Sequence, residues 1–363
     1  MLSPLKLRLP AAGPARLLKG PSPPLRWSSF TAPRASAFPF HQSNSPRLFH
    51  LATPHTSRHA SRRPPGSSHP AYSTTRQLQQ GQSIPSPSTP QPEEMSEPTG
   101  LIAKSGIELL TFGTPNGFKV SILLEELKEA YGKDFTWQSI NIMKNTQKEP
   151  WFTAISPNGR IPAIVDHDRN DFAVFEGLSI LTYLTRHYDP EHRFSFPVDS
   201  DDYSVAEQWM AWQHGGLGPM QGQANLFFQF AKEKIPYGAQ LYVGESERLY
   251  GVLDKRLEGR DFVAGPGKGK YSIADMSMIG WVSIATLSGI DLKQFPNVQA
   301  WYERIVARPA TARGFAIPSA SSFRNETLAK TRAEDPEAKK KADENQKFLD
   351  DAKKQYGYKY SSP

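Results

Sequence analysis

The chain has 363 residues, of which 38% are hydrophobic, and carries a formal net charge of +7. It contains no cysteine, which excludes disulfide bonds, cysteine-ligated zinc and any mechanism that uses a thiolate of the protein itself. No apolar run approaches the roughly 20 residues needed to span a bilayer, so the sequence predicts a soluble protein without a membrane partner.

The positive charge belongs to the N-terminal part of the chain. Residues 1–92 hold eleven Lys or Arg and no Asp or Glu, whereas the remainder has 32 basic and 36 acidic residues and a formal charge of −4. A stretch so rich in Pro, Ser and Arg buries too little apolar surface to offset the entropy lost on ordering. We therefore expect residues 1–100 to form a disordered arm.

The arm has the composition of a mitochondrial transit segment, because it is rich in Arg and Ser and free of acids. Against this reading, prolines such as those at 21, 23 and 24 interrupt an amphipathic helix. The alternative is a disordered arm without targeting function on a cytoplasmic protein. The arm contains no aromatic–basic repeat, so we expect no nucleic-acid partner.

A folded pattern begins at residue 107. Short apolar strands are predicted at 107–112, 135–140, 161–165 and 172–175. A helix follows the first strand, where Asn116 is in position to cap it, and another helix follows the fourth. The order βαβ–loop–ββα is typical of an α/β, thioredoxin-like domain, which we assign to residues 106–190.

Only helical patterns follow the polar linker at 189–200. They cover about 201–232, 238–258, 272–288 and 296–308, and the third starts with a capping-box sequence at 272–275. Residues 201–318 are therefore predicted to form an all-α domain. Residues 319–363 form a charged tail, which we expect to be a solvated helix or a disordered extension.

Four segments, in this order and spacing, carry a resemblance to a known family: TPNGFKV at 114–120, SPNGRIPA at 156–163, WQHGGLGPMQGQ at 212–223 and YSIAD at 271–275. Residues 106–318 resemble the soluble glutathione transferases. They are most similar to the bacterial nu-class and fungal branch that includes the yeast nitrogen-regulating prion protein. The resemblance implies the glutathione-transferase fold, glutathione as co-substrate, no metal and a homodimer.

Thr114 and Asn116 are the predicted catalytic residues. The free amides and the dipole at the start of the first helix favour an anion there, and they lower the pKa of a sulfur below the free-thiol value of about 8.5. The Thr114 hydroxyl and the Asn116 amide are placed to donate hydrogen bonds to that sulfur, and the matching residues have this role in nu-class relatives. The alternative is that 114–117 is only a turn and a helix cap.

The resemblance also implies a set of glutathione-binding residues. Ile161 and Pro162 match the family's cis-proline step, where the Ile161 backbone pairs with the cysteinyl unit of glutathione. Glu176 matches the residue that binds the γ-glutamyl amine, although a carboxylate in a first helical turn is also ordinary capping chemistry. Gln147 and Arg160 match positions that reach the glycyl end, and Arg160 reads equally well as a solvated surface residue.

Gly177 departs from the family, where Ser or Thr holds the γ-glutamyl carboxylate. The backbone N–H remains but the hydroxyl is lost, which predicts binding weaker by roughly ten- to hundredfold. The sequence therefore leaves two functions open. One is a glutathione transferase or glutathione-dependent disulfide reductase. The other is a non-catalytic regulatory or binding protein of the same fold.

Overall fold

The computed structural model describes residues 98–357. The predictions of a disordered arm and a transit segment concern residues 1–100, of which 1–97 are not described, and the last six residues of the charged tail are 358–363. Both stretches lie outside the described residues, so those predictions stay predictions.

The first half of the described chain contains one four-stranded mixed sheet in the order β2-β1-β3-β4. Its strands are β1 (Ile107–Thr111), β2 (Phe135–Ser139), β3 (Ala163–Asp166) and β4 (Phe172–Phe175). Strand β1 runs parallel to β2 and antiparallel to β3, which is in turn antiparallel to β4. The predicted thioredoxin-like sheet is confirmed, and all four predicted strands are present to within two residues.

The helices of this half are α1 (Pro115–Tyr131), α2 (Pro150–Ile155) and α3 (Gly177–Tyr188). Helix α2 lies in a stretch that the sequence predicted as loop. The prediction that Asn116 caps α1 was wrong, because Thr114 is the N-cap and its Oγ1 accepts a hydrogen bond from Gly117 N at 3.3 Å. Pro115 occupies the first helical position, where the missing N–H of proline has no cost.

The second half is helical, as predicted. Its helices are α4 (Asp201–Trp212), α5 (Gly218–Asn225), α6 (Pro236–Leu257), α7 (Ile273–Val282), α8 (Pro296–Val306) and α9 (Pro309–Gly314). The helix expected at 201–232 is a continuous helical stretch in which α4 and α5 are each followed by a π-turn, at Gln213–Leu217 and Leu226–Phe230. Such π-turns occur frequently at functional sites.

Helix α7 is fixed by the predicted capping box. The Asp275 carboxylate is fully buried and accepts hydrogen bonds from Ser272 N at 3.1 Å, Val263 N at 3.1 Å and Trp301 Nε1 at 2.8 Å. Ser272 in turn accepts from Ala274 N. One carboxylate thus joins α7 to α8 and to the loop that precedes α7.

The two halves meet where α7 crosses the start of α1. A Cβ atom added at Gly280 would lie 2.3 Å from the carbonyl oxygen of Pro115, so only glycine permits this approach. Helix α1 also contacts α3 and α9. Because neighbours cover it, every residue from Gly117 to Leu127 is buried, including the charged residues Lys119, Glu125 and Glu126.

The charged tail forms α10 (Asn325–Glu334) and α11 (Pro336–Tyr356). Most of α11 is solvated, but one seam packs on α6, where Leu349 is fully buried and Lys353 Nζ lies 2.6 Å from Glu247 Oε1. The sequence did not predict this contact. Across residues 98–357, no helix combines the length and the apolar character that crossing a membrane requires.

Candidate functional site

The candidate site lies at one end of the strands of the sheet, where three chain segments converge. The register pairs Leu110 of β1 with Ala163 of β3, and Ala163 with Phe175 of β4. The β1–α1 loop, the Ile161–Pro162 step and the Glu176–Gly177 step therefore leave the sheet side by side. The π-turn after α4 and one side chain of α7 complete the site from the helical half.

Asn116 lies in the first turn of α1 and is exposed. Its Oδ1 accepts a hydrogen bond from the Trp281 indole Nε1 at 3.2 Å. An indole nitrogen only donates, so this contact fixes the amide with its oxygen toward Trp281 and leaves its NH₂ group to donate elsewhere. The oxygen of Thr114 is used in capping, but its hydroxyl proton is still available as a donor.

Glu176 stands at the start of α3 with a backbone φ of 71°, a left-handed conformation that is uncommon for a residue with a side chain. Its side chain does not cap the helix, so the first amides of α3 have no hydrogen-bond partner from this side chain. Instead, Glu176 Oε2 lies 3.2 Å from His214 Nε2 in the π-turn. This pair joins the two halves of the chain across the site.

Lys119 lies below Glu176 and Gly177. The residue is 2% exposed, and its Nζ donates to Gln213 Oε1 at 2.6 Å. Burial lowers the pKa of the Lys119 amine to about 7, against the opposing effect of the Glu176 carboxylate. A Cβ added at Gly177 would lie 3.5 Å from Lys119 Cδ, so the lysine stem passes under the first residue of α3.

The loop before β3 carries the remaining predicted residues. The Ile161–Pro162 peptide bond is cis, as the resemblance implied. Within residues 98–357 the backbone N–H and C=O of Ile161 have no hydrogen-bond partner. Arg160 is exposed, whereas Gln147 is largely buried and its Nε2 donates to Ile142 O at 3.4 Å. Their role at the glycyl end of glutathione therefore stays a prediction.

Sequence reasoning missed four residues that line or support the site: Lys119, Gln213, His214 and Trp281. Lys119, Gln213 and His214 stand inside the quoted motifs, but a motif does not show which residues its side chains contact. Trp281 belongs to no motif, and its partner Asn116 is 165 residues away in the chain.

Comparisons with known proteins show which family this chain resembles. Residues 114–187 match the profile of the glutathione S-transferase N-terminal domain and residues 227–309 that of the C-terminal domain. The disulfide-bond oxidoreductase YfcG of Escherichia coli is 39% identical over 211 residues, which cover 57% of this chain and 93% of that protein.

Two solved structures add the spatial match. A glutathione transferase homolog from Lodderomyces elongisporus, with two GSH per subunit, superposes with a TM-score of 0.55 and 36% identity, covering 59% of this chain and 99% of that one. Ure2p in complex with glutathione gives a TM-score of 0.55 and 29% identity, covering 59% and 95%. The chain belongs to the glutathione S-transferase family, in the branch that includes Ure2p.

Proposed function

We propose that this chain binds glutathione in the cleft between its two halves and holds the glutathione thiol as a thiolate, which attacks an electrophilic carbon or a disulfide. Membership of the family and the glutathione named for the related structures support this proposal. The chain has no cysteine, so the reacting sulfur belongs to the co-substrate.

One observation carries the proposal: the orientation of the Asn116 amide. Trp281 holds its oxygen, so the NH₂ group remains to donate at the N-terminus of α1. The helix dipole favours an anion at the same end. We propose that the sulfur binds there, with Asn116 and the Thr114 hydroxyl as its donors.

The Trp281 contact leads to a prediction of its own. We expect Trp281→Phe to lower kcat by about five- to tenfold and to leave the Kd of glutathione unchanged, because the amide loses the bond that orients it while the ligand keeps its contacts. Steady-state kinetics and calorimetry measure the two quantities. Trp137→Phe on the partly exposed strand β2 is the matched control, and equal kcat in the two variants contradicts the orienting role.

We assign the rest of glutathione to the loops around the site. The unpaired backbone groups of Ile161 bind the cysteinyl unit like an added strand, next to Pro162. Glu176 accepts from the γ-glutamyl amine. Arg160 pairs with the glycyl carboxylate, and Gln147 joins it after its amide rotates away from Ile142 O.

Gly177 gives a second prediction. Gly177→Ser should tighten glutathione binding by about tenfold, because the new hydroxyl donates to the γ-glutamyl carboxylate. The site accepts a side chain, since the added Cβ meets only Lys119 Cδ at ordinary contact distance. Gly177→Ala adds the same carbon without the hydroxyl and should leave the Kd near the wild-type value. Equal affinities of the Ser and Ala variants, measured by calorimetry, contradict this account.

The thiolate also supports disulfide reduction. It attacks one sulfur of a disulfide, the S–S bond breaks, and the leaving thiolate takes up a proton. A second glutathione thiolate attacks the mixed disulfide, releasing the second thiol and oxidised glutathione, so two electrons pass to the substrate. The name of YfcG and the two glutathiones per subunit of the Lodderomyces homolog support this reaction. Parallel assays with hydroxyethyl disulfide and a chlorinated aromatic distinguish the reductase from the transferase.

Gly177 favours a second candidate, a glutathione-binding regulatory protein without useful turnover. The missing hydroxyl weakens the hold on the γ-glutamyl carboxylate, whereas retention of Thr114, Asn116 and Glu176 favours the enzyme. Retention on glutathione resin without turnover in either assay supports the regulator. Turnover in one of the assays excludes it.

We also propose a homodimer. Strand β4 is an edge of the sheet, and its Phe172 and Phe175 side chains are 54% and 39% exposed, although Phe172 stacks on Tyr183. A second subunit covers this edge strand in the proposed dimer. Light scattering at micromolar concentration should give twice the mass of the chain, and a monomer mass contradicts the proposal.

Import into mitochondria is the third element of the proposal, and it rests on the acid-free, Arg-rich composition of residues 1–92. Fusion of residues 1–100 to a fluorescent protein tests it. Mitochondrial fluorescence supports import. Diffuse cytoplasmic fluorescence favours the alternative location.

A further inference from the structure

A buried lysine lies beneath the start of α3 and has no role in the chemistry described above. Lys119 Nζ donates to Gln213 Oε1 at 2.6 Å. An ammonium has three donors, and among residues 98–357 Gln213 is its only hydrogen-bond acceptor. A buried cation with unused donors is costly, so this arrangement suits an anion that arrives from outside.

The position of the lysine identifies which anion this is. Its stem passes under Gly177, where the family places a hydroxyl and this chain has none. The first amides of α3 open at the same point and also favour a negative charge. In the proposed complex, the group bound there is the γ-glutamyl carboxylate of glutathione.

The charged surroundings of Lys119 are simple. The negative charge of Glu176 raises the pKa of the Lys119 amine, and Glu176 is itself paired with His214. Two charged groups on the helices packed against α1 are engaged elsewhere: Arg313 binds Glu125 and Glu129, and Asp275 caps α7. The remaining two, Arg186 and His187, stand in the last turn of α3, far from Lys119 along that helix. With a pKa of about 7, the amine is largely neutral at pH 8 in the empty site.

We propose that Lys119 is a positioning residue for the γ-glutamyl carboxylate, and that binding of this end of glutathione is coupled to uptake of a proton by the Lys119 amine. A carboxylate beside the amine stabilises its charged form. The lysine thereby supplies part of the attraction lost with the hydroxyl at Gly177. This inference rests on the proposed function, since it needs glutathione to bind in this cleft.

Calorimetry with S-methylglutathione tests the inference on the full chain. This ligand has no thiol proton, so proton uptake is measured separately from thiolate formation. Titrations at pH 8 in buffers of different ionisation enthalpy should show uptake of roughly 0.5 to 1 proton per ligand. The affinity should fall by about fivefold between pH 7 and pH 8, because the protonated fraction of the empty site falls by that factor.

Two variants assign the proton. Lys119→Met keeps the apolar stem, and we expect it to bind more weakly, without proton uptake and without the fivefold pH effect. Lys128→Met, on the exposed end of the same helix, should behave like the wild type. If Lys119→Met fails to fold, absence of proton uptake and of the fivefold pH effect in the wild type still overturns the inference.

The outcomes separate this inference from the proposed function. Binding of S-methylglutathione to the wild type without proton uptake overturns the inference, as does equal uptake by the wild type and Lys119→Met. Either result leaves thiolate formation with glutathione intact. No binding of S-methylglutathione at all overturns both.

Discussion

Replacing Asn116 with alanine is expected to lower kcat/KM by about 10²- to 10³-fold, the largest catalytic effect in this chain. The amide is the side-chain donor that Trp281 orients at the N-terminus of α1. Removing one preorganised donor from a developing or bound anion typically costs this much. Steady-state kinetics with a chlorinated aromatic or hydroxyethyl disulfide measures the loss, and glutathione affinity should change far less.

Asn116→Asp is the matched variant, because it keeps the shape and the acceptor for Trp281 but replaces the donor with an anionic oxygen. It should be at least as inactive as Asn116→Ala. Thr114→Ala should lower turnover less and should also cost about 1 kcal/mol of stability, since Thr114 caps α1. Wild-type turnover in both Asn116 variants shows that the thiolate is stabilised elsewhere.

Asp275→Ala is expected to produce the largest loss of stability, about 3–5 kcal/mol. The substitution leaves buried donors at three residues, Ser272, Val263 and Trp301, without their acceptor, and each unpaired donor costs about 1–3 kcal/mol. A typical domain has only about 5–15 kcal/mol in total. Urea unfolding of the full chain measures the change in free energy.

Asp291→Ala is the control, because Asp291 is exposed and caps only a short 3₁₀ turn. It should cost about 1 kcal/mol or less. Asp275→Asn retains one acceptor and should fall between the two. A loss for Asp275→Ala no larger than for Asp291→Ala contradicts the role assigned to the buried carboxylate in holding α7, and with it Trp281, against α1.

The sequence predicted the sheet, the helical half and the capping box, because these depend on local periodicity and cap chemistry. The start of α1 was misplaced by two residues because Asn116 and Thr114 are both good caps, and the choice depends on how Pro115 fits the first turn. The site could be predicted only in part. The motifs identified Thr114, Asn116 and Glu176.

Contacts between distant residues could not be predicted. The burial of Lys119 depends on a segment distant in the sequence, because the π-turn after α4 packs over it and supplies Gln213. Trp281 reaches Asn116 because Gly280 lets α7 approach α1. The charged tail was expected to be solvated because its sequence is polar. Only one seam around Leu349 packs against α6, and so few apolar residues do not stand out in the sequence.

Titration of the bound glutathione thiol, followed by thiolate absorbance in the full chain, tests the central claim most directly. If the cleft holds the sulfur as an anion, the pKa of that thiol lies at least about one unit below the free value of about 8.5. In the Asn116→Ala variant, the same titration should give a pKa of the bound thiol close to that free value. A bound thiol that titrates like free glutathione in the wild-type protein contradicts the account.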